Sequence, residues 1–409
     1  MTARFARVSL HSLLVLLACL SAPSGRAGQA GPYATAGNCG GFPRVALRTP
    51  PGTCVGLVAA HLGFARGVAM IGRDIYVADM GGWRQGRGRI LRLGEDGRAA
   101  PQTILAGLDM PNALVPGPQR TLYVGMLGKV VAFDPDAADP RASVREILVG
   151  LPEQGRHPLP ALAVAADGAL FVNLGSASDN CRDDSGAAPD ANKPCPETQA
   201  VPPRGVLLRV VPGTAPVDAA HAEIYARGLR NSMALAVLPS GALLAASNAR
   251  DAINQADPAL ADAELPHEPL VRVARGADYG WPYCYDERRP SPEYPQHDCS
   301  GTPAPDLLLP AHAAPLGMLL YRGQALPGLD GRLLIACHGY RANGHRLVAL
   351  GLDAQGQPSA AAQDVISGWD GGSAGHPRGA PVALFEAPDG SVLLTEDHNG
   401  TLLRLAAAP

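Results

Sequence analysis

Short apolar runs, broken by Gly, Pro and Asp-Gly turns, dominate the chain and recur in a fixed order. An apolar strand comes first, then a glycine-bearing turn, a second apolar strand of the Leu-Tyr-Val type, a polar loop, and a third strand ending near Arg or Asp. Copies begin near Arg66-Gly67-Val68, Pro111-Asn112-Ala113, Pro160-Ala161-Leu162, Ser232-Met233-Ala234, Leu316-Gly317-Met318 and Pro381-Val382-Ala383. Their second strands fall at Ile75-Tyr76-Val77, Leu122-Tyr123-Val124, Leu170-Phe171-Val172, Leu243-Leu244-Ala245, Leu333-Leu334-Ile335 and Val392-Leu393-Leu394. A small antiparallel sheet cannot bury both faces alone, so the repeat predicts an all-β chain, a six-bladed β-propeller of four-stranded antiparallel blades. No long stretch has helical periodicity, which disfavours doubly wound folds.

The segment Pro43 to Leu62 precedes the first full copy and could supply the strand that joins the last blade to the first. Two larger gaps, 176–204 and 251–314, read as insertions that wall a pocket on one face.

Glycine (48) and proline (39) are spread along all 409 residues, as many short turns require. A formal charge of −3 without a Lys/Arg-rich run leaves no nucleic-acid footprint, so a small neutral or weakly charged ligand is the expectation. Residues 1–27 read as an export signal: Arg4 and Arg7, then an apolar run from Val8 to Leu20, too short to span a membrane. Within it Leu16-Leu17-Ala18-Cys19 fits a bacterial lipobox, in which Cys19 would carry a lipid anchor. The alternative is cleavage near Ala22 or Ala27 with Cys19 discarded. Residues 28–44 then form a linker and 45–409 a single propeller domain, in a periplasmic or secreted protein.

Cysteine spacing supports export. Cys39 and Cys54, Cys181 and Cys195, and Cys284 and Cys299 form three local pairs that predict three disulfides, each stabilising by ~3 kcal/mol in the chain-entropy model. Cys337 is left as a small buried residue.

Candidate chemistry gathers in polar clusters at strand ends: Gly228-Leu229-Arg230-Asn231, Asn248-Ala249-Arg250-Asp251 and Asp278-Tyr279-Gly280-Trp281-Pro282-Tyr283. His157 stands at the mouth of the third copy, where an imidazole can act as a general base. The Asp- and Asn-rich loop from Asp179 to Cys195 lacks EF-hand spacing and reads as solvated and disulfide-closed.

In that order the three clusters resemble the glucose/sorbosone dehydrogenase family of soluble quinoproteins, most of all its sorbosone dehydrogenase-like branch. The likeness covers about residues 60 to 406. It implies pyrroloquinoline quinone and Ca2+ as cofactors, a sugar substrate (an aldose or sorbosone-type alcohol or hemiacetal) and hydride transfer to the quinone. It implies that His157 takes the hydroxyl proton, that Arg230 steadies charge on the quinone, and that Asn231 and Arg250 lie at the cofactor. Trp281 would form a flat pocket wall, and Asn248 and Asp251 would lie near the ion.

Arg341, in His338-Gly339-Tyr340-Arg341, matches a fifth-blade motif in which Tyr340 replaces Ser-Trp; Arg378 and Arg66 resemble further cofactor arginines, Arg378 with two extra residues before its proline. Glu396-Asp397 resembles a structural acidic pair. No c-type haem motif occurs, so the electron acceptor would be a separate partner. Two other readings remain open: a calcium-dependent lactonase-type hydrolase in which His157 activates water, and a propeller that only binds.

Overall fold

In the computed structural model, residues 32–182, 187–358, 362–369 and 379–409 are described. The repeat resolves into six blades, antiparallel apart from a short parallel edge strand, Val217–Asp218, added to blade 2. Blade 1 comprises Ala65–Ile71, Asp74–Asp79, Gly88–Leu93 and Gln102–Leu108; blade 2 comprises Ala113–Pro116, Leu122–Met126, Lys129–Phe133 and Arg145–Val149. Blade 3 is Leu162–Val164, Leu170–Leu174, Val206–Val210 and Glu223–Arg227; blade 4 is Ala234–Val237, Leu243–Ala246, Glu268–Val273 and Leu307–Leu309. Blade 5 is Pro315–Leu320, Leu333–Cys337, Arg346–Leu350 and Gln363–Ile366. Blade 6 joins Pro381–Glu386, Val392–Glu396 and Thr401–Ala407 to Thr53–Ala59 from the start of the chain. Helical structure among the described residues is confined to 3-10 turns.

The second strands explain why the blades stack. Successive side chains of a strand point to opposite faces, and here both faces are covered. Leu333 and Ile335 pack with Leu244 and Leu270 of blade 4, while Leu334 packs with Val392, Leu394 and Leu403 of blade 6. Leu244 and Ala246 likewise face blade 5, whereas Leu243 and Ala245 face blade 3. A continuous apolar run is therefore a strand shared between two inter-blade cores.

The ring closes where the sequence places the closing strand, with Thr53–Ala59 pairing antiparallel to Thr401–Ala407. The expected linker over 28–44 is different: Thr35–Cys39 and Phe42–Val45 form a hairpin that extends blade 6 outward. Cys39–Cys54 ties this hairpin to the closing strand. Cys181–Cys195 and Cys284–Cys299 are also bonded, and Cys337 is buried and free. The leader and Cys19 lie outside the described residues, and no helix among those described is long and apolar enough to cross a membrane.

The first strands surround a central channel of about 140 Å³ walled by Val68, Leu114, Leu162, Leu235 and Met318, with Arg66 and Asn112 as polar side chains in its wall.

Candidate active site

Every seam between blades carries a polar clamp near the ends of the first and second strands. His338 Nε2 lies 3.1 Å from both Asp397 oxygens, and Arg66 donates to Asp397 Oδ2 at 2.6 Å and to Asn112 Oδ1 at 2.9 Å. Asn112 Nδ2 donates to the Pro160 carbonyl, Asn173 Nδ2 donates to Asn231 Oδ1, and Glu268 accepts from the Ala249 and Ala314 amides. This girdle reaches the entry of blade 3 at Pro160, three residues after His157. It also holds Asp397 in its charged form: burial alone would raise that carboxyl, but His338 and Arg66 outweigh it and bring it to about 2.

His157 enters blade 3 with its ring held at one nitrogen. Nδ1 lies 2.8 Å from Ser176 Oγ and 3.2 Å from the Ser176 carbonyl. The Ser176 hydroxyl donates to the Ser178 carbonyl, so Nδ1 must carry the hydrogen and Nε2 the free lone pair. No described residue bonds Nε2. Burial, and after it the positive charge of Arg230, hold His157 well below the ordinary imidazole value, so the ring is neutral near pH 7. The Ser176 amide donates to the Arg230 carbonyl at 2.8 Å, which ties the two loops together.

Arg230 is buried and heavily engaged. Nε donates to the Asp179 carbonyl at 2.8 Å, Nη1 to the Asn248 and Ala249 carbonyls at 3.1 and 2.6 Å, and Nη2 to Asp179 Oδ1 at 2.6 Å. A guanidinium has five N–H groups, so one on Nη2 stays available. The expected solvated loop at Asp179 is thus wrong at its first residue: Asp179 is 9% exposed because its carboxylate compensates a buried cation.

Around these two lies a row of alternating charges. Asp251 has Arg156 Nη2 at 3.5 Å on Oδ2 and His312 Nδ1 at 3.3 Å on Oδ1. The His312 contact, foremost, brings the Asp251 carboxyl down to about 2 against the opposing effect of burial. The same contact raises His312. His312 Nε2 lies 2.6 Å from the Asp262 carbonyl, and Arg341 Nη1 donates to Asp262 Oδ2 at 2.6 Å. Arg341 (48% exposed) and Arg156 (54%) offer accessible guanidinium groups on this rim.

Several expected site residues are engaged elsewhere. Arg66 belongs to the girdle and gives its Nε and Nη1 to Asn112 and Asp397. Arg250 forks onto both oxygens of Glu293 at 2.6 and 2.7 Å, locking the 251–314 insertion rather than facing a cofactor. Asn231 Oδ1 accepts from Asn173 Nδ2 and lies against Gly175 beside His157. Trp281 is buried against Gly205 and lines a cavity that Arg230 also lines and His157 does not.

Asn248 lines that same cavity, and the two Asp251 oxygens already face Arg156 and His312, so this pair makes a poor calcium site. Oxygens of the type a hard cation takes do converge nearby, from Asn248, Ala249 and Asp179, around the Arg230 guanidinium. Arg378 lies outside the described residues. His312, Asp262, Asp179 and Ser176 are not singled out by the sequence. The one signal for His312 is its place in the loop entering blade 5, equivalent to that of His157 entering blade 3.

The glucose/sorbosone dehydrogenase family model matches residues 129–404. A protein of Borreliella burgdorferi with no assigned activity is 27% identical over 194 residues, 45% of this chain and 48% of its own length; the chain thus spans about half of that relative. The iodide structure of a carbohydrate-active enzyme of family AA12 from Trichoderma reesei superposes with a TM-score of 0.71 at 18% identity, covering 92% of this chain and 100% of its own. The holo pyranose dehydrogenase PQQ domain of Coprinopsis cinerea gives 0.69 at 18% identity over 90% and 99%. The PQQ-bound aldose sugar dehydrogenase of Streptomyces coelicolor gives 0.59 at 16% identity over 88% and 100%. At such identities the structural likeness concerns the fold.

Proposed function

Because the chain belongs to the glucose/sorbosone dehydrogenase family, we propose that it is an exported oxidoreductase that oxidises a sugar hydroxyl or hemiacetal, with pyrroloquinoline quinone as electron acceptor at the His157 mouth. Bound there, the quinone would receive the hydride. The rim suits a planar anion with carboxylates: Arg341 and Arg156 present accessible guanidinium groups, which bind carboxylates through two hydrogen bonds.

The observation that carries this reading is the state of His157. A neutral ring, anchored through Nδ1 with Nε2 bonded by no described residue, is a base ready to accept the hydroxyl proton of a sugar. The spare N–H of Arg230 lies on the same loop pair and can donate to negative charge developing beside that base. Asp251 and His312 stay paired at the rim, Nδ1 lying 3.3 Å from Oδ1. A calcium ion reaching the Asn248, Ala249 and Asp179 oxygens would have to displace the Arg230 guanidinium.

The test is reconstitution. Purified protein with added quinone, with and without calcium, should reduce an acceptor dye in the presence of aldoses or sorbosone-type sugars. Lactone hydrolysis with calcium alone would replace this reading with a hydrolase. Inertness in both assays would leave a binding propeller.

A further inference from the structure

Behind the loop that carries Arg230 lies a second cavity, lined by Leu229, Arg230, Asn248, Pro266, Trp281 and Tyr285. It leaves about 60 Å³ for water-sized molecules. A site for a sugar-sized ligand is several times larger, on the order of 300 Å³ or more. At roughly 30 Å³ per molecule, the space suits a couple of waters.

Two buried polar atoms point to what it holds. Trp281 is 9% exposed, and among the described residues its Nε1 donor has no hydrogen-bond partner; the Asn248 Oδ1 acceptor is buried and has none among them either. Both residues line this one cavity, and buried polar groups without a partner carry the full cost of desolvation. A buried donor and a buried acceptor on two residues that line one small cavity match water, which accepts from one and donates to the other.

We propose that ordered water in this cavity links Trp281 Nε1 to Asn248 Oδ1, making Trp281 a positioning residue for the loop that grips Arg230. The backbone of Asn248 is the next link. Its carbonyl accepts from Arg230 Nη1 at 3.1 Å and its amide donates to the Asn231 carbonyl at 2.9 Å. Trp281 is itself fixed, its amide donating to the Gly228 carbonyl at 3.0 Å and its ring packed on Gly205, while Cys284–Cys299 closes the following loop. The path runs from indole to water to Asn248 to Arg230, whose charge reaches His157. Only the relevance of that last step to catalysis rests on the proposed oxidoreductase.

The test needs neither quinone nor sugar. With its three tryptophans labelled with nitrogen-15, the protein gives indole signals that Trp281→Phe assigns. The Trp281 indole proton should show a cross-peak to long-lived water in the folded wild type; absence of that cross-peak overturns the proposal. In Trp281→Phe the indole donor is lost, so the Arg230 grip should loosen and the His157 titration followed by NMR should move up toward the ordinary imidazole value. A water cross-peak with an unmoved His157 titration overturns the positioning role. If the variant does not fold, the Trp281 indole is assigned in the wild type through its ring's cross-peaks to Gly205, and the water cross-peak still decides whether the water is there.

Discussion

Arg230 Nη2 and Asp179 Oδ1, 51 positions apart along the chain, meet at 2.6 Å with both side chains buried. The pair joins an insertion of blade 3 to the entry of blade 4, and the Asp251 amide donates to the same carboxylate oxygen at 2.9 Å. Removing one partner of a buried ion pair leaves an uncompensated charge, which costs about 3–5 kcal/mol. Asp179→Ala should therefore lower stability by about that amount in urea unfolding, and dye reduction by the folded fraction should fall at least about tenfold as Arg230 loses its anchor.

The fold was legible because its information is local. Leu333-Leu334-Ile335-Ala336 reads as a strand buried on both faces wherever it lies, and Gly or Asp-Gly turns mark each copy. The positions of His157 and Arg230 were legible for the same reason: both stand in loops entering first strands, as the candidate site requires. The remaining site depends on long-range partners. Nothing near Asp179 says that it is buried, since its partner Arg230 lies in another blade. Arg66 reads as free until Asp397, 331 positions away, is brought against it by ring closure. Trp281 could face either way, and Gly205 decides by leaving room for the indole.

His157 should dominate the pH profile. Its folded value lies below the ordinary one because of burial and then Arg230, so the neutral base persists at mildly acidic pH. The acid limb of kcat/KM should accordingly fall below the ordinary imidazole midpoint. His157→Ala should lower kcat by a factor of about 10²–10⁴, the range for a general base, with binding of the quinone followed by absorbance largely kept.

Stability should depend on pH in two directions. Burial raises Glu268 and Glu396 from 4.5 to about 7, so protonation is favoured in the folded state. Their contribution is fully present below the ordinary value and is lost as pH rises through about 7, on the order of 3 kcal/mol each. Asp251 and Asp397 are lowered from 3.8 to about 2, so their contribution is present above the ordinary value and lost as pH falls through about 2. Chemical denaturation across pH should place maximum stability near 4 to 5. Glu268→Gln should flatten the fall on the neutral side, and an unchanged slope would contradict the burial effect.

Gly175 lies directly behind the candidate base. A Cβ added there would stand 2.6 Å from His157 Cβ, 2.7 Å from Asn231 Oδ1 and 3.0 Å from the His157 carbonyl. His157 Cβ and the His157 carbonyl cannot swing aside, and Asn231 Oδ1 is held by the Asn173 amide, so relief requires the entry loop of blade 3 to move. Overpacking of this kind costs about 1–3 kcal/mol, which a propeller with three disulfides should survive. The same shift displaces the imidazole relative to Ser176 and Arg230, and a displacement of about 1 Å at a reacting group can cost about a hundredfold in rate. Gly175→Ala should therefore remain folded by circular dichroism while losing far more activity than stability. Gly213→Ala is the matched control: its nearest neighbour would be the Ala215 carbonyl at 3.8 Å, ordinary contact, and it should leave both unchanged. Equal activity in the two variants would show that the position of His157 does not limit the reaction.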